Sequence, residues 1–164
     1  MTTARRRHGQ ALTEFALVLP IFLLLLLAVF DVGRAVFAYN GITNAAREGA
    51  RLAIVNQTTA SITTRVTDQS PGAPVTVCVV LLAPGQTTNN CATTPVGNRC
   101  ATPPQLGCVA SIEVATQYQA ITPVVGSLIG PMTLTARSEV PIEFVCPNVS
   151  IAAWSTSGSC PKQP

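Results

Sequence analysis

Polar and apolar residues are sharply separated in the first part of the chain. Residues 1–9 are polar and basic, whereas residues 15–30 carry no charge. Extending the apolar stretch forward to residue 11 gives the ~20 residues that a bilayer-spanning helix needs, with Glu14 as an interruption. This pattern predicts one transmembrane helix over about residues 11–30.

The end of the apolar stretch distinguishes an anchor from a cleaved signal peptide. The apolar run of a signal peptide ends in small residues that form a cleavage site. Here the run ends in Asp31 and Arg34 and the helical pattern continues, so we expect the segment to stay as an anchor. Arg5, Arg6 and Arg7 precede it, and a basic flank of this kind holds the N-terminus in the cytoplasm.

The helical pattern continues beyond the span, because residues 34–57 lack proline and are rich in alanine. Small residues recur there at every fourth position: Gly41, Ala45, Gly49 and Ala53. Such residues form a ridge on one helix face, along which another helix or a sheet can approach closely. We therefore predict a long helix whose first half lies in the membrane and whose second half is exposed.

The periodicity changes after residues 58–69, which are predicted to add another turn or two of helix. Three segments have the composition or alternation of strands: residues 75–82, 108–119 and 132–145. Residues 83–107 are predicted to form a cross-linked loop, and residues 120–131 a connection with apolar content. A lone three-stranded sheet needs a partner on its apolar face. The predicted fold class is therefore α+β, with the long helix packed on a three-stranded antiparallel sheet.

Six cysteines follow the apolar stretch and none precedes it: Cys78, Cys91, Cys100, Cys108, Cys146 and Cys160. An even number of cysteines on the exported side of a small protein predicts disulfides. Six cysteines allow 15 pairings, which the sequence leaves open. One short-range bridge is expected among Cys91, Cys100 and Cys108. The chain has no CxxC motif and its single histidine is His8, so the usual Cys/His zinc patterns are absent and no metal is expected.

Charge and motifs argue against nucleic-acid binding and against catalysis. Three of the ten basic residues are in the leader, and the remaining seven match the seven acidic residues, which leaves no basic surface for phosphates. Without a histidine beyond His8, the exported domain cannot form a Ser-His-Asp or Cys-His site. Glu113, Glu139 and Glu143 are expected to be exposed strand carboxylates that keep the sheet soluble. We therefore expect no enzyme, no cofactor and no small-molecule substrate.

The N-terminal residues resemble two related groups of proteins. The run Gly-Gln-Ala-Leu-Thr-Glu-Phe over residues 9–15, with the apolar stretch behind it, is similar to the start of type IV prepilin-like proteins. In that group a glycine closes a basic leader and a glutamate is the fifth residue of the mature chain. Residues 9–53 closely resemble the TadE/TadG-like family, minor pseudopilins of tight-adherence (Flp) pilus assembly systems. The similarity is weaker over the strands and absent from the cysteine-rich loop.

This resemblance implies a pilin-like fold and a processing step. A prepilin peptidase would cleave after Gly9, so that the mature chain begins at Gln10. Glu14 would then pair with the new α-ammonium of Gln10, in its own chain or in a neighbouring subunit. The implied partners are the peptidase, other pilus or pseudopilin subunits and the inner-membrane assembly platform. The implied location is the bacterial cytoplasmic (inner) membrane, crossed once, with the N-terminus cytoplasmic and the C-terminal domain extracytoplasmic or carried into the pilus.

The expected organisation has three parts. Residues 1–9 form a cytoplasmic leader, residues 10–57 the transmembrane and extended helix, and residues 58–164 an extracytoplasmic disulfide-bearing β domain. The expected role is a structural one in the assembly of the pilus or of a related secretion machine. The alternative is a membrane-tethered binding protein or adhesin whose cysteine-rich loop contacts a ligand. A gene neighbourhood with a secretion ATPase and a prepilin peptidase would favour the first role.

Overall fold

A computed structural model describes residues 5–70, 72, 74–102, 104–148, 156, 158 and 160. The first four residues of the predicted leader and parts of the C-terminal tail lie outside the described residues. The elements in chain order are α1 (Arg5–Ala53), α2 (Thr59–Asp68), β1 (Val75–Leu82), a short 3-10 helix (Val96–Asn98), β2 (Val109–Tyr118), α3 (Pro123–Ile129) and β3 (Met132–Pro141). The predicted α+β class, a long N-terminal helix packed on a three-stranded antiparallel sheet, is confirmed.

Helix α1 begins earlier and ends earlier than the sequence predicts. It starts at Arg5, within the predicted leader, and ends at Ala53 rather than near Asn56. The amide oxygen of Asn56 accepts the backbone N–H of Thr58 at 2.9 Å, which turns the chain away from the helix axis. Among the described residues, α1 is the one helix long and apolar enough to cross a membrane.

The chain divides into two compact units, and the first contains α1 as far as Val36 together with Gln119–Pro131. The side chains of the apolar stretch in this unit are largely exposed, as in Leu17 (75%) and Val29 (72%). Exposed apolar side chains all around a helix are typical of a membrane span rather than of a core helix. The predicted connection over residues 120–131 is part of this unit and contains α3, which the sequence analysis did not predict.

The second unit comprises Phe37–Tyr118 and Met132–Pro164 and contains the sheet. The strands lie in the order β1-β2-β3 and both pairs are antiparallel. In the central row, Ile112 of β2 lies between Val79 of β1 and Ser138 of β3. The even-numbered residues of β2 from Ala110 to Thr116 are buried, and Ala110, Ile112 and Val114 belong to the core shared with the helices, in agreement with the predicted alternation. The core that they share with α1 and α2 consists mainly of Ile42, Ala45, Ala46, Ala50, Leu52, Ala53, Ile62, Val66, Ala110, Ile112 and Val114.

The strand boundaries agree closely with the sequence for β1 and β2, whereas β3 is shorter than predicted. It ends at Pro141, and the chain then leaves the sheet. The backbone N–H groups of Glu143 and Phe144 both bond to the carbonyl of Ile54, at 3.3 and 3.1 Å. These bonds to the end of α1 replace the hydrogen bonds within the sheet that a strand extending to residue 145 would have made.

Three of the four small residues of the α1 ridge are buried, and Gly49 is the one closely approached by both α2 and the sheet. Ala45 and Ala53 are fully buried, Gly49 is buried, and Gly41 is half-buried. A Cβ atom at Gly49 would lie 2.4 Å from a methyl carbon of Val66 in α2, and 3.5 Å from one in Ile112 of β2. No side chain fits between those groups, so the glycine sets the distance between α1 and α2.

We expect Gly49→Ala to destabilise the protein although alanine favours a helix over glycine. The new methyl group collides with Val66, which is fully buried and stiff because it is β-branched. Overpacking of this kind lowers the free energy of unfolding by about 1–3 kcal/mol. Thermal unfolding of the detergent-solubilised protein measures the loss.

The matched control is Gly33→Ala, also in α1, because nothing lies within 4 Å of a Cβ atom at that position. Adding Val66→Ala to Gly49→Ala makes room for the new methyl group. The double variant should therefore lose less stability than the two single losses together. If Gly49→Ala unfolds at the same temperature as Gly33→Ala, the close approach at Gly49 is not a constraint on the fold.

Candidate functional site

The predicted processing and assembly residues lie near the start of α1. Gly9 is exposed, and a Cβ atom there would have nothing within 4 Å. Gln10 and Glu14 are one helical turn apart on the same face, with 3.4 Å between Gln10 Nε2 and Glu14 Oε1. The Thr13 hydroxyl donates to the carbonyl of Gln10 at 2.8 Å. The structure thus places the Glu14 carboxylate beside the residue that would carry the new N-terminus.

All six cysteines are paired in disulfides, which confirms the prediction of three bridges. The pairs are Cys78–Cys91, Cys100–Cys108 and Cys146–Cys160, with Cα–Cα distances of 6.0, 6.0 and 5.6 Å. They close segments with sequence separations of 13, 8 and 14 residues. Each bridge over such a segment contributes about 2–3 kcal/mol by restricting the unfolded chain.

An ion pair on the outer face of the sheet, the face turned away from the helices, fastens the cysteine-rich loop. Cys78, Glu113 and Arg137 are neighbours across the three strands. Arg137 Nη2 lies 2.6 Å from Glu113 Oε2, and the same carboxylate oxygen accepts the N–H of Cys91 at 3.2 Å. Arg137 also donates to the carbonyl of Asn89 at 2.8 Å and to that of Thr88.

Glu113 therefore does more than keep the sheet soluble, in contrast to the expectation from sequence. Its side chain keeps 18% of its exposure and that of Arg137 keeps 28%. Charge-assisted hydrogen bonds with limited solvent access are stronger than those of a fully exposed pair. The loop over residues 83–107 is thus held to the sheet by the Cys78–Cys91 bridge and by this pair together.

Gln57 is a structural residue that the sequence analysis missed. Its side-chain nitrogen donates to the carbonyls of Ala53 and Phe144 at 2.8 and 2.9 Å, and its oxygen accepts the N–H of Cys146 at 2.8 Å. Its backbone N–H bonds to the carbonyl of Cys146 at 3.0 Å. Gln57 joins the end of α1 to the segment after β3, and no local pattern in the sequence reveals a partner 87 residues away.

Asp31 is a second residue whose role was missed. Its two carboxylate oxygens accept the backbone N–H groups of Ile121 and Thr122 at 3.1 and 3.0 Å, and the side chain of Thr122 also bonds to it. Arg34, which lies 3.8 Å away, partly balances its charge. Asp31 is 5% exposed and therefore belongs to a buried contact between α1 and the start of α3. The sequence did contain a sign of this role, because Asp31 is an acidic residue directly after an uncharged stretch.

The described residues contain no group of three or more His, Cys, Asp or Glu side chains that could hold a metal ion. Four arrangements have been described among the residues that the structure covers. They are the Glu14 carboxylate beside Gln10, the Asp31 junction at the C-terminal end of the apolar stretch, the Gln57 junction after α1, and the loop fastened to the sheet. All four position parts of the chain.

We expect Arg137→Gln to loosen the loop without unfolding the sheet. The substitution removes the ion pair with Glu113 and the bonds to the two loop carbonyls, while the disulfides remain. The loss in the free energy of unfolding is about 1–2 kcal/mol, because both partners are only partly screened by solvent. Tryptic cleavage after Arg99, which is exposed within the loop, should become faster and can be followed by mass spectrometry.

Arg47→Gln is the control, because Arg47 is exposed on α1. This substitution removes the same charge from a place away from the loop. Equal cleavage rates after Arg99 in wild type and both variants would mean that the disulfides alone hold the loop.

Comparison with known proteins bears on the N-terminal part of the chain. No curated protein and no solved structure matches the chain. The family model described as TadE-like protein matches residues 9–51, about a quarter of the chain, and these include Gly9, Gln10 and Glu14. The match and the apolar helix together fit a membrane protein associated with a Tad pilus. Over residues 9–51 the chain is therefore TadE-like, and the resemblance found in the sequence is confirmed.

Proposed function

We propose that this protein is a minor pseudopilin, a membrane-anchored structural subunit that acts in the assembly of a tight-adherence pilus or the related secretion machine. The observation that carries the proposal is the placement of Glu14 one helical turn after the Gly9–Gln10 bond, at the start of a long apolar helix. This part of the chain is the part that matches the TadE-like model. A structural role agrees with a family of pilus-assembly proteins.

Processing between Gly9 and Gln10 requires the chain to enter a protease cleft in an extended form. In the structure this bond lies within α1, so the first turns of the helix must unwind. Glycine lowers the cost of unwinding because it is a weak helix former, and it adds no side chain that would obstruct the cleft. The proposed partner in this step is a prepilin peptidase embedded in the same membrane.

Glu14 acts after cleavage in this proposal. A carboxylate at the centre of a transmembrane helix costs about 2.5–3.5 kcal/mol on insertion scales, and less near its end where Glu14 lies; carboxylates within a span are normally paired or functional. The new α-ammonium of Gln10 is a suitable partner, because Gln10 already lies within 3.4 Å of the carboxylate through its side chain. In a low-dielectric environment the resulting charge pair is stronger than a surface pair. The ammonium of a neighbouring subunit can replace the intramolecular one as helices gather.

The described contacts favour the apolar first half of α1 as the surface for other subunits. In the second half, the ridge at Ala45, Gly49 and Ala53 is already filled by α2 and the sheet. The cysteine-rich loop is fastened at several points, which supports a structural part for it over the ligand-binding loop of an adhesin. Partners in this proposal are other pilus subunits and the inner-membrane assembly platform.

The proposed location is the bacterial inner membrane, with residues 1–9 cytoplasmic and the β domain over residues 58–164 extracytoplasmic. Two observations support this orientation. The three arginines of the leader precede the span, as cytoplasmic flanks do. The three disulfides follow it, and disulfides persist in oxidising compartments outside the cytoplasm.

Gly9→Val should block removal of the leader. Nothing lies within 4 Å of a Cβ atom at position 9, so the substitution does not disturb the protein itself. A loss of processing would then mean that the cleft of the peptidase cannot accept the branched side chain of valine. Mass spectrometry of membrane fractions from a host with an active tight-adherence system measures the N-terminus. Recovery of an intact leader from the wild-type protein in such cells would contradict the proposed cleavage.

Glu14→Gln should leave membrane insertion and cleavage largely intact and reduce assembly. Glutamine keeps the shape of the side chain and removes the charge that would pair with the new ammonium. The measurement is co-purification with other pilus components, together with the N-terminal mass. Glu48→Gln, which removes a carboxylate from the second half of α1, is the control. If the Glu14→Gln protein is cleaved, co-purifies and supports piliation as wild type does, the assembly role of Glu14 is wrong.

A further inference from the structure

The segment Gln119–Pro131, here called the connector, joins β2 to β3 and includes α3. It contains no charged residue, although much of it is exposed. Ile121 keeps 71% of its exposure and Ile129 keeps 57%. Single apolar side chains are ordinary on a protein surface, so what these two isoleucines contact depends on where the connector lies.

Asp31 fixes the connector at the end of the apolar stretch. Residues 11–30 of α1 extend over about 30 Å at 1.5 Å per residue, which is the thickness of the hydrocarbon core of a bilayer. Asp31 is the next residue, and its carboxylate lies within 3.1 Å of the backbone nitrogens of both Ile121 and Thr122. The polar headgroup layer on each side of the core is on the order of 5–8 Å thick. The start of α3 therefore lies at the depth of that layer if the apolar stretch spans the membrane.

Some of the backbone N–H groups at the start of α3 are paired or absent, which lowers the cost of an environment poor in water. Unpaired backbone N–H groups are costly near lipid, and the first residues of a helix normally leave several of them unpaired. Here the N–H groups of Ile121 and Thr122 bond to Asp31, and Pro123 has no N–H. At the other end of α3, the N–H of Gly130 bonds to the carbonyl of Gly126 at 2.9 Å.

We propose that the connector is an interfacial membrane contact, which inserts Ile121 and Ile129 into the lipid headgroup region beside the outer end of the span. The proposal rests on the membrane anchoring of the proposed function. Asp31 is the positioning residue, because it holds the start of α3 against α1 at that level. The result is a second point of attachment that limits rotation and tilt of the anchor.

Lipid fits this surface better than a second copy of the chain. Ile121 is held at Asp31, directly after the end of the span, where Val29 and Phe30 are 72% and 64% exposed. Two isoleucines fall far short of the roughly 800 Å² per partner that stable protein interfaces bury. The connector also has no charged side chain that could orient a protein partner or select an anionic lipid.

Tryptophan fluorescence in vesicles tests this contact on the full-length protein. We would reconstitute the Ile129→Trp variant in phosphatidylcholine vesicles that carry bromine either near the headgroup or near the end of the acyl chain. The wild-type signal of Trp154 is subtracted as background. Ser127→Trp is the matched control, because Ser127 lies about 200° from Ile129 around the same short helix. Ile21→Trp, in the middle of the apolar stretch, reports on the anchor itself.

The expected result is that bromine near the headgroup quenches Ile129→Trp more strongly than Ser127→Trp, while deep bromine quenches Ile21→Trp. Quenching of Ile21→Trp without quenching of Ile129→Trp would overturn the interfacial contact and leave the anchor intact. Absence of quenching at both positions would overturn the anchor and the contact together. Acrylamide in the aqueous phase gives a further test. If Ile129→Trp is shielded from acrylamide, and this shielding disappears when the protein is diluted in lipid, a second copy covers the connector and the lipid contact is wrong.

Asp31→Ala separates positioning from simple affinity for lipid. In the Ile129→Trp background it should reduce quenching by bromine near the headgroup, whereas in the Ile21→Trp background quenching should stay unchanged. Unchanged quenching of Ile129→Trp would show that the connector reaches lipid without Asp31, and the positioning role would be wrong.

Discussion

The absence of a side chain at Gly49 is the constraint on which the folded domain depends. Three strands cannot form a stable domain alone, and their apolar face must be covered by another element. In this protein α1 and α2 cover it, and the methyl groups of Val66 and Ile112 occupy the space that a larger residue at position 49 would need. The alanines on either side extend the same close contact along α1. This face of α1 leaves little room for larger residues, because its alanines are buried directly against the isoleucines and valines of α2 and the sheet.

Helices cover the inner face of the sheet and a loop covers the outer face, and the side chains on each face explain the difference. The inner face presents Ile112, Val114 and their neighbours, which apolar packing against helices can bury. The outer face carries Glu113 and Arg137 in adjacent strands, and helices of apolar residues could not cover those charges. A loop can cover these charges, because its backbone N–H groups and carbonyls bond to Glu113 and Arg137 while a disulfide fixes the loop in position.

The sequence predicted the elements that depend on local pattern and missed those that depend on distant partners. The β-branched run of β1 lies between prolines, so its bounds were predictable, and an uncharged stretch followed by small residues identified α1. The seven residues of α3 were missed, because Pro123 and Gly126 within them, and Gly130 directly after them, argue for a loop. The partners of Asp31 and Gln57 lie about 90 residues away, and only the folded chain brings them together. For the candidate site, Glu14 was indicated by its charge within an apolar stretch and by the resemblance to prepilin-like proteins, whereas the pairing of Glu113 required knowledge of the strand register.

The cysteines pair in the order in which they occur along the chain: first with second, third with fourth, and fifth with sixth. No bridge encloses or interleaves with another. In the location proposed for it, the domain would leave the translocation channel from its N-terminal side, so each cysteine would emerge next to its native partner before the next pair appears. An oxidase that joins the two thiols exposed at a given moment then produces the native connectivity directly. Of the 15 pairings open to six cysteines, the one found is the one that needs no later exchange of partners during export.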